Sequence, residues 1–265
     1  MIGTRVAERN NVKLLGRRGA QPIVFAHGFG TDQTMWDLVH PAFGDRYEVV
    51  LFDHLGSGGA HHVPAGDERH SSLWGYAEDV LELYAEFDLH GSIYVGHSVG
   101  AMIGVLAAIR DPERFASLVL IGPSPRYIDA EDYVGGFSRA DVDGLLDAIE
   151  RDWEGWTTAM APTLLGGDQA LASDLAGRMQ RTDRSAARHF AEVIFTSDHR
   201  ADLAELETPS LIVQSMADIV SPVAVGDYLH RHLADSRLVS IQAMGHFPHL
   251  SAPEATIAAI RSFVG

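Results

Sequence analysis

Five residues, Gly96-His97-Ser98-Val99-Gly100, constrain the fold of this 265-residue chain more than any other feature. They follow directly on the apolar run Ser92-Ile93-Tyr94-Val95 and precede a small-residue segment from Ala101 to Ala108. A serine between two such glycines, after a buried strand and before a helix, predicts a sharp, strained turn that presents the serine hydroxyl above a sheet. Ser98 is therefore a candidate nucleophile, and glycines are expected where the turn leaves no room for side chains.

A nucleophilic serine needs a base, and the base needs a carboxylate that orients it. Asp218 follows the apolar run 209–214, whose β-branched residues and leading proline predict a buried strand. His246 follows a second predicted strand, 237–241. Because all three residues come just after a predicted strand, we expect Ser98, Asp218 and His246 to form a catalytic triad at one edge of a parallel sheet.

Two alternatives stay open for these partners. Asp218 is also placed to cap a helix that begins near Pro222. His249 competes with His246 for the role of base, and a histidine beside a glycine is also an ordinary loop residue. We favour His246 because it lies closest to the strand end and follows the small Gly245, whereas His249 is expected to brace the loop.

An oxyanion hole is predicted where the early apolar run 22–26 ends in His27-Gly28-Phe29-Gly30. A His-Gly pair at this point is the usual source of one backbone donor, and the amide after the nucleophile supplies the other. The N–H groups of Phe29 and Val99 are therefore the candidate donors. His27 is expected to anchor this loop by hydrogen bonds rather than to act in catalysis or to bind a metal.

The alternation of strands and helices stops after Pro123 and resumes near Leu206. Three or four helical segments replace it, which predicts a cap, 124–206, inserted in a core formed by 1–123 and 207–265. Apolar residues recur at helical spacing in the insertion, so one of its faces is expected to roof an apolar pocket. The predicted pocket residues are Trp156, Phe190 and Phe195 in the roof, and Phe29, His97, Ile219, Val220 and Phe247 below it.

Composition excludes several other classes of protein. The chain has no cysteine, so disulfides, thiol catalysis and cysteine-bound zinc are impossible. A formal net charge of −16 argues against nucleic-acid binding, because phosphates would be repelled. The close histidine pairs, 61/62 and 230/232, do not share a helix face, and no metal or cofactor is expected. The first residues lack the apolar stretch of a signal peptide, and no run of about 18 apolar residues occurs. A cytoplasmic protein without membrane contact is expected.

Longer stretches of the chain resemble one group within a known fold family. The chain is similar to the RsbQ-type α/β-hydrolases, which include the plant strigolactone and karrikin receptors. The glycine-rich turn 56–59 is closer to the bacterial than to the plant form. The stretches that carry the resemblance extend through the predicted cap and are His27–Gln33, Val50–Asp53, Val95–Gly104, Ile121–Pro125, Tyr133–Phe137, Phe195–Arg200 and Gly245–Pro253.

The resemblance implies an α/β-hydrolase fold, with a mostly parallel central sheet flanked by helices and a V-shaped cap of four helices. It implies the triad Ser98, Asp218 and His246 and an enclosed pocket. It also implies slow hydrolysis of small hydrophobic esters or butenolide-type lactones. For the bacterial RsbQ-type members the resemblance implies a role in stress signalling together with a phosphatase that carries a PAS sensor domain, which makes such a phosphatase a candidate partner.

Two classes of function are compatible with these residues. The first is a serine hydrolase for small esters or lactones. The second is a ligand sensor that uses the same residues, and whose main output is a rearranged cap that recruits a protein. Carbon–carbon bond hydrolysis and cofactor-free haloperoxidation also use a serine triad and stay open. Dehalogenases and epoxide hydrolases need a carboxylate nucleophile, which the serine at position 98 excludes.

Overall fold

Seven strands form a single sheet in the computed structural model, which describes residues 5–64 and 67–265. The sheet order is β1-β3-β2-β4-β5-β6-β7, and every neighbouring pair is parallel except β1 with β3. The expected mostly parallel sheet is thus confirmed. Residues 1–4, which belong to the segment considered for a signal peptide, lie outside the described residues. The strands are β1 Lys13–Gly16, β2 Pro22–Ala26, β3 Glu48–Phe52, β4 Ser92–His97, β5 Phe115–Ile121, β6 Ser210–Ala217 and β7 Ser236–Met244.

The central strands are apolar on both faces, because helices cover both sides of the sheet. Along β2, Val24 and Ala26 belong to one core and Ile23 and Phe25 to the other, as the two-residue period of a strand requires. The first core continues into α2 and α3, and the second into α10. The helices outside the insertion are α1 Val6–Arg9, α2 Leu73–Glu86, α3 Val99–Arg110, α8 Val223–His232, α9 Pro248–Ser251 and α10 Pro253–Val264.

Four helices lie between β5 and β6, and each begins where the sequence provides a side-chain cap. Ser138 and Asp141 form a capping box at the first, and Asp152, Asp168 and Asp183 each accept backbone N–H groups at the others. The first helix begins directly after the Ser138 cap. The four are α4 Arg139–Arg151, α5 Trp153–Leu164, α6 Gln169–Met179 and α7 Arg184–Phe195.

The two ends of this insertion meet beside the sheet. Arg126 and Asp198 pair as an antiparallel bridge, and their side chains form an ion pair. The amide of His199 donates to the carbonyl of Pro125 at 2.8 Å. The insertion therefore begins and ends at one place, and its helices are held at the edge of the sheet where β5 ends.

No helix among residues 5–64 and 67–265 is both long and apolar enough to cross a membrane.

Candidate active site

Ser98 occupies the turn between β4 and α3 in a strained backbone conformation. Its φ is +54° and its ψ is −122°, a region that non-glycine residues seldom adopt. The amide of Ser98 donates to the carbonyl of Ile121 at 2.8 Å, which ties the turn to β5. A Cβ on Gly96 would lie 2.6 Å from the backbone nitrogen of Ala101, so only glycine fits there. The chain turns back so tightly here that position 96 must be glycine, and the turn holds the Ser98 hydroxyl at the end of β4.

Hydrogen bonds link Ser98 to His246 and His246 to Asp218. The Oγ of Ser98 is 2.8 Å from Nε2 of His246, and Nδ1 of His246 is 2.7 Å from Oδ2 of Asp218. All three residues are buried, with Ser98 4% exposed. In this arrangement Nδ1–H donates to the carboxylate and Nε2 is left to accept the serine proton, which is the geometry that nucleophilic catalysis by serine requires.

The second carboxylate oxygen of Asp218 accepts hydrogen bonds from the backbone. Oδ1 accepts the amides of Val220 and Ser221 at 2.8 and 3.0 Å. The alternative of a helix cap is wrong, because both amides belong to the loop before α8. The helix itself starts at Val223 and takes no side-chain cap. Asp218 therefore orients His246 and stabilises its own loop at the same time.

His249, the alternative base, does not take the position beside Ser98. Its ring is fully buried and stacks on Trp36, with ring centroids 4.7 Å apart. Neither ring nitrogen has a hydrogen-bond partner among the described residues. Burial, together with the nearby His246, lowers the pKa of His249 to about 3, so the ring is neutral at physiological pH.

Two further histidines hold the backbone around the site. The Nε2–H of His97 donates to the carbonyl of His246 at 2.8 Å. Burial, then the neighbouring His249 and His246, lowers the pKa of His97 well below its usual value. His27 accepts the amide of His54 at Nε2 and donates from Nδ1 to the carbonyl of Gly28, at 3.0 and 2.8 Å. Both nitrogens of His27 are thus engaged with backbone, as expected of a loop anchor.

The backbone amides proposed for the oxyanion hole lie beside the serine. A Cβ built on Gly28 would be 3.2 Å from the Cβ of Ser98, so the loop carrying Phe29 runs directly past the nucleophile. Val99 is the first residue of α3, where amides are unpaired and the helix dipole is positive. Among the described residues neither the Phe29 nor the Val99 amide has a hydrogen-bond acceptor, so both are free to bind an anion.

An apolar cavity of about 70 Å³ opens onto Ser98 and His246 beneath the inserted helices. It is smaller than the roughly 300–1,000 Å³ typical of pockets for drug-sized ligands. Seven of the eight residues predicted from sequence line it, namely Phe29, His97, Trp156, Phe195, Ile219, Val220 and Phe247. The sequence did not assign to the pocket the other apolar lining residues, Phe137, Leu145, Met160, Leu164 and Met179.

Phe190 is the exception, and its prediction as a roof residue is corrected. Its ring stacks on Tyr76, with centroids 4.5 Å apart, rather than lining the cavity. Phe195 lies five positions further along the chain, which places the two side chains about 140° apart around α7. That spacing, available in the sequence, predicts that the two rings point to different sides of the helix. A more open cleft of about 620 Å³ lies on this other side, along Tyr76 and His189, and Ser98 does not line it.

Tyr127 is a site residue that the sequence did not identify. Its hydroxyl lies 3.5 Å from the Oγ of Ser98, and its side chain is only 2% exposed. Burial raises the pKa of Tyr127 above its usual value, so the hydroxyl stays protonated and able to donate. It lies near the start of the insertion, in irregular structure and outside any periodic pattern, so no sequence signal marked it.

Within the part of the chain that the structure describes, no group of three or more His, Asp or Glu side chains is arranged to hold a metal ion.

Comparison with known proteins places this site in context. A family model described as the α/β hydrolase fold matches residues 21–253. The chain is 41% identical over 255 residues to karrikin insensitive 2 receptor CA of Petunia hybrida, covering 95% of this chain and 94% of the relative. It is 35% identical over 250 residues to strigolactone esterase D14 of Arabidopsis thaliana, covering 94% and 93%. Among solved structures, a hydrolase from Oleispira antarctica superposes with a TM-score of 0.93 at 35% identity, covering 97% and 95%.

Proposed function

Because the chain belongs to the α/β hydrolase family, we propose that it is a serine hydrolase that cleaves small hydrophobic esters or lactones. The observation that carries this proposal is the pair of contacts at His246, 2.8 Å to Ser98 and 2.7 Å to Asp218. Those distances are short enough for proton transfer from serine to histidine and for orientation of the histidine by the carboxylate.

In the proposed reaction, His246 accepts the Ser98 proton at Nε2 as Oγ attacks the carbonyl carbon. The amides of Phe29 and Val99 bind the oxygen that becomes negative, and Asp218 stabilises the imidazolium. The imidazolium then returns the proton to the leaving oxygen, which departs as an alcohol. For a lactone that hydroxyl stays attached to the acyl group. Water, deprotonated by His246, finally attacks the acyl-enzyme and releases the acid and Ser98.

The cavity supports the choice of substrate. It opens on the Ser98–His246 pair, its lining is almost entirely apolar, and its small volume favours a small ligand. The relative named as a strigolactone esterase supports an ester or lactone as the bond that is cleaved. In this proposal 1–123 and 207–265 form the hydrolase core, and 124–206 form a V-shaped cap that excludes water from the reacting atoms.

The second candidate is a ligand sensor. A cavity of only about 70 Å³ beneath the inserted helices means that a larger ligand requires the helices to move. The relatives named as receptors support such an output. An RsbQ-type role in stress signalling, with a PAS-domain phosphatase as partner, stays a prediction from the resemblance. A cytoplasmic location stays a prediction from the absence of long apolar stretches in the sequence. Carbon–carbon bond hydrolysis and cofactor-free haloperoxidation by the same triad are further alternatives.

The test is hydrolysis of p-nitrophenyl acetate followed from the first turnover by stopped flow. Wild type is compared with Ser98→Ala and with Ser262→Ala, a matched serine on α10 whose hydroxyl bonds only to Ala259 in its own helix. We expect hydrolysis in wild type and Ser262→Ala and only background in Ser98→Ala. A burst followed by slow turnover would favour sensing, and rapid linear turnover would favour a metabolic esterase. Equal rates in Ser98→Ala and wild type would overturn the proposal.

A further inference from the structure

The backbone of His246 is held on both sides by hydrogen bonds to distant parts of the chain. Its amide donates to the carbonyl of Leu164 at 2.7 Å, and its carbonyl accepts Nε2–H of His97 at 2.8 Å. The second bond joins the histidine to the residue before the nucleophile. The first bond joins it to Leu164 in the inserted helices.

Leu164 connects the cavity to the backbone of His246. It is the last residue of α5, where carbonyls lose their partners within the helix, and its carbonyl accepts the His246 amide instead. Its side chain lines the cavity above Ser98. One residue therefore contacts both the space for the ligand and the backbone of the candidate base.

Glycines allow this close approach. A Cβ on Gly245 would overlap the carbonyl oxygen of Leu164, and a Cβ on Gly166 would overlap the Cβ of Met244. Both glycines have positive φ, +82° and +65°. Gly167 also has positive φ, +97°, but a Cβ there would meet nothing within 4 Å. Gly166 and Gly167 thus both have positive φ and differ in whether a side chain would push α5 away from the His246 loop.

We propose that Leu164 is a positioning residue for His246. Its carbonyl fixes the position of the His246 backbone. The end of α5 must therefore be in its observed position for Nε2 of His246 to reach Ser98. The inference rests on the proposed hydrolase function, since it assigns to His246 the role of base. It extends that function by making the alignment of the base depend on the position of a helix that lines the ligand cavity.

Gly166→Ala tests this proposal, with Gly167→Ala as the matched control. A methyl group at 166 forces the end of α5 away from Met244 and lengthens the bond from His246 to Leu164. We expect kcat for p-nitrophenyl acetate to fall about tenfold or more in Gly166→Ala, because a misplacement of about 1 Å can cost up to about a hundredfold. KM should change by less than kcat, because Leu164 is only one of the residues that line the cavity, and Gly167→Ala should keep kcat within about twofold.

Amide hydrogen exchange gives a second measurement, which needs no variant and no activity. By NMR, the His246 amide of the wild-type protein should exchange slowly, as a hydrogen-bonded amide does. Exchange at the rate of an unprotected amide would overturn the proposal even if Gly166→Ala failed to fold. A folded Gly166→Ala protein with the kcat of Gly167→Ala would overturn it too. Failure of the hydrolase function is a different result, namely hydrolysis that persists in Ser98→Ala.

Discussion

Asp218 and His246 are joined by a 2.7 Å contact between Oδ2 and Nδ1, while the other oxygen of the same carboxylate accepts two backbone amides. The side chain of Asp218 is completely buried. One oxygen therefore fixes the tautomer and orientation of the histidine, and the other satisfies amides that would otherwise be unpaired in the interior. These two roles respond differently to substitution.

Asp218→Asn is expected to lose activity with little loss of stability, whereas Asp218→Ala should lose both. Asparagine keeps an oxygen for the two amides but places an NH₂ group opposite His246, which favours the wrong tautomer. We expect kcat to fall about 10³–10⁴-fold in both variants. The alanine variant should also lose about 1–3 kcal/mol of unfolding free energy, because the amides of Val220 and Ser221 are left without an acceptor. Urea unfolding and ester hydrolysis measure the two effects, and equal stability of the two variants would contradict this account.

Acid should destabilise the protein through its buried neutral histidines. The folded-state pKa of His249 is about 3, against an ordinary value of 6.5. The unfolded chain therefore binds a proton there that the folded chain does not, so stability is full above about pH 6.5 and falls as the pH drops towards about 3. His97 and His54, whose pKa values burial also lowers, act in the same direction.

His249→Leu should remove one proton from this dependence. Below about pH 6.5, the unfolding free energy of wild type should fall more steeply than that of the variant, by about 1.4 kcal/mol per pH unit. Urea unfolding between pH 7 and pH 5 measures the difference. Exposed Leu38, which does not titrate, is changed to Ala as the control and should leave the slope unchanged. Because His246, not His249, lies against Ser98, the Leu variant should still hydrolyse ester, and loss of turnover to the level of Ser98→Ala would refute this assignment.

Arg181→Ala should ease the entry of larger substrates. Arg181, just beyond α6, forms an ion pair with Asp32 at 2.6 Å, in the loop that follows Phe29. Met179 at the end of α6 lines the cavity, so the ion pair holds part of the roof in place. Arg181 is 54% exposed, and such pairs contribute about 0.2–1 kcal/mol, which corresponds to about one- to fivefold in an opening equilibrium.

The measurement is the ratio of kcat/KM for p-nitrophenyl octanoate to that for the acetate. It should rise up to about fivefold in Arg181→Ala, and added salt should raise it in wild type, because salt screens an exposed ion pair. Arg139→Ala is the matched control, since Arg139 pairs with Asp143 within α4. An unchanged ratio in Arg181→Ala, or the same rise in Arg139→Ala, would rule out this role for the ion pair.

The amino-acid sequence alone is enough to predict which edge of the sheet carries the site. Ser98, Asp218 and His246 each follow a short apolar strand, and the carboxyl ends of parallel strands share one edge. The succession of strands and loops along the chain and the turn glycines can be read from the sequence. They are therefore enough to predict that the three residues lie at that edge. The starts of the inserted helices also depend on local sequence, because each requires a capping side chain such as Asp168.

Which side chains meet at that edge depends on tertiary packing. The choice between His246 and His249, the hydroxyl of Tyr127 near Ser98, and the bond from His246 to Leu164 all depend on how helices and loops are placed against one another. Such placement comes from the packing of whole faces and changes by ångströms without any change in local pattern. A hydrogen bond requires two atoms to lie about 3 Å apart, and shifts of ångströms between packed elements make or break it. The local sequence therefore predicts which region of the fold holds these residues, and the packing of the core determines which side chains they contact.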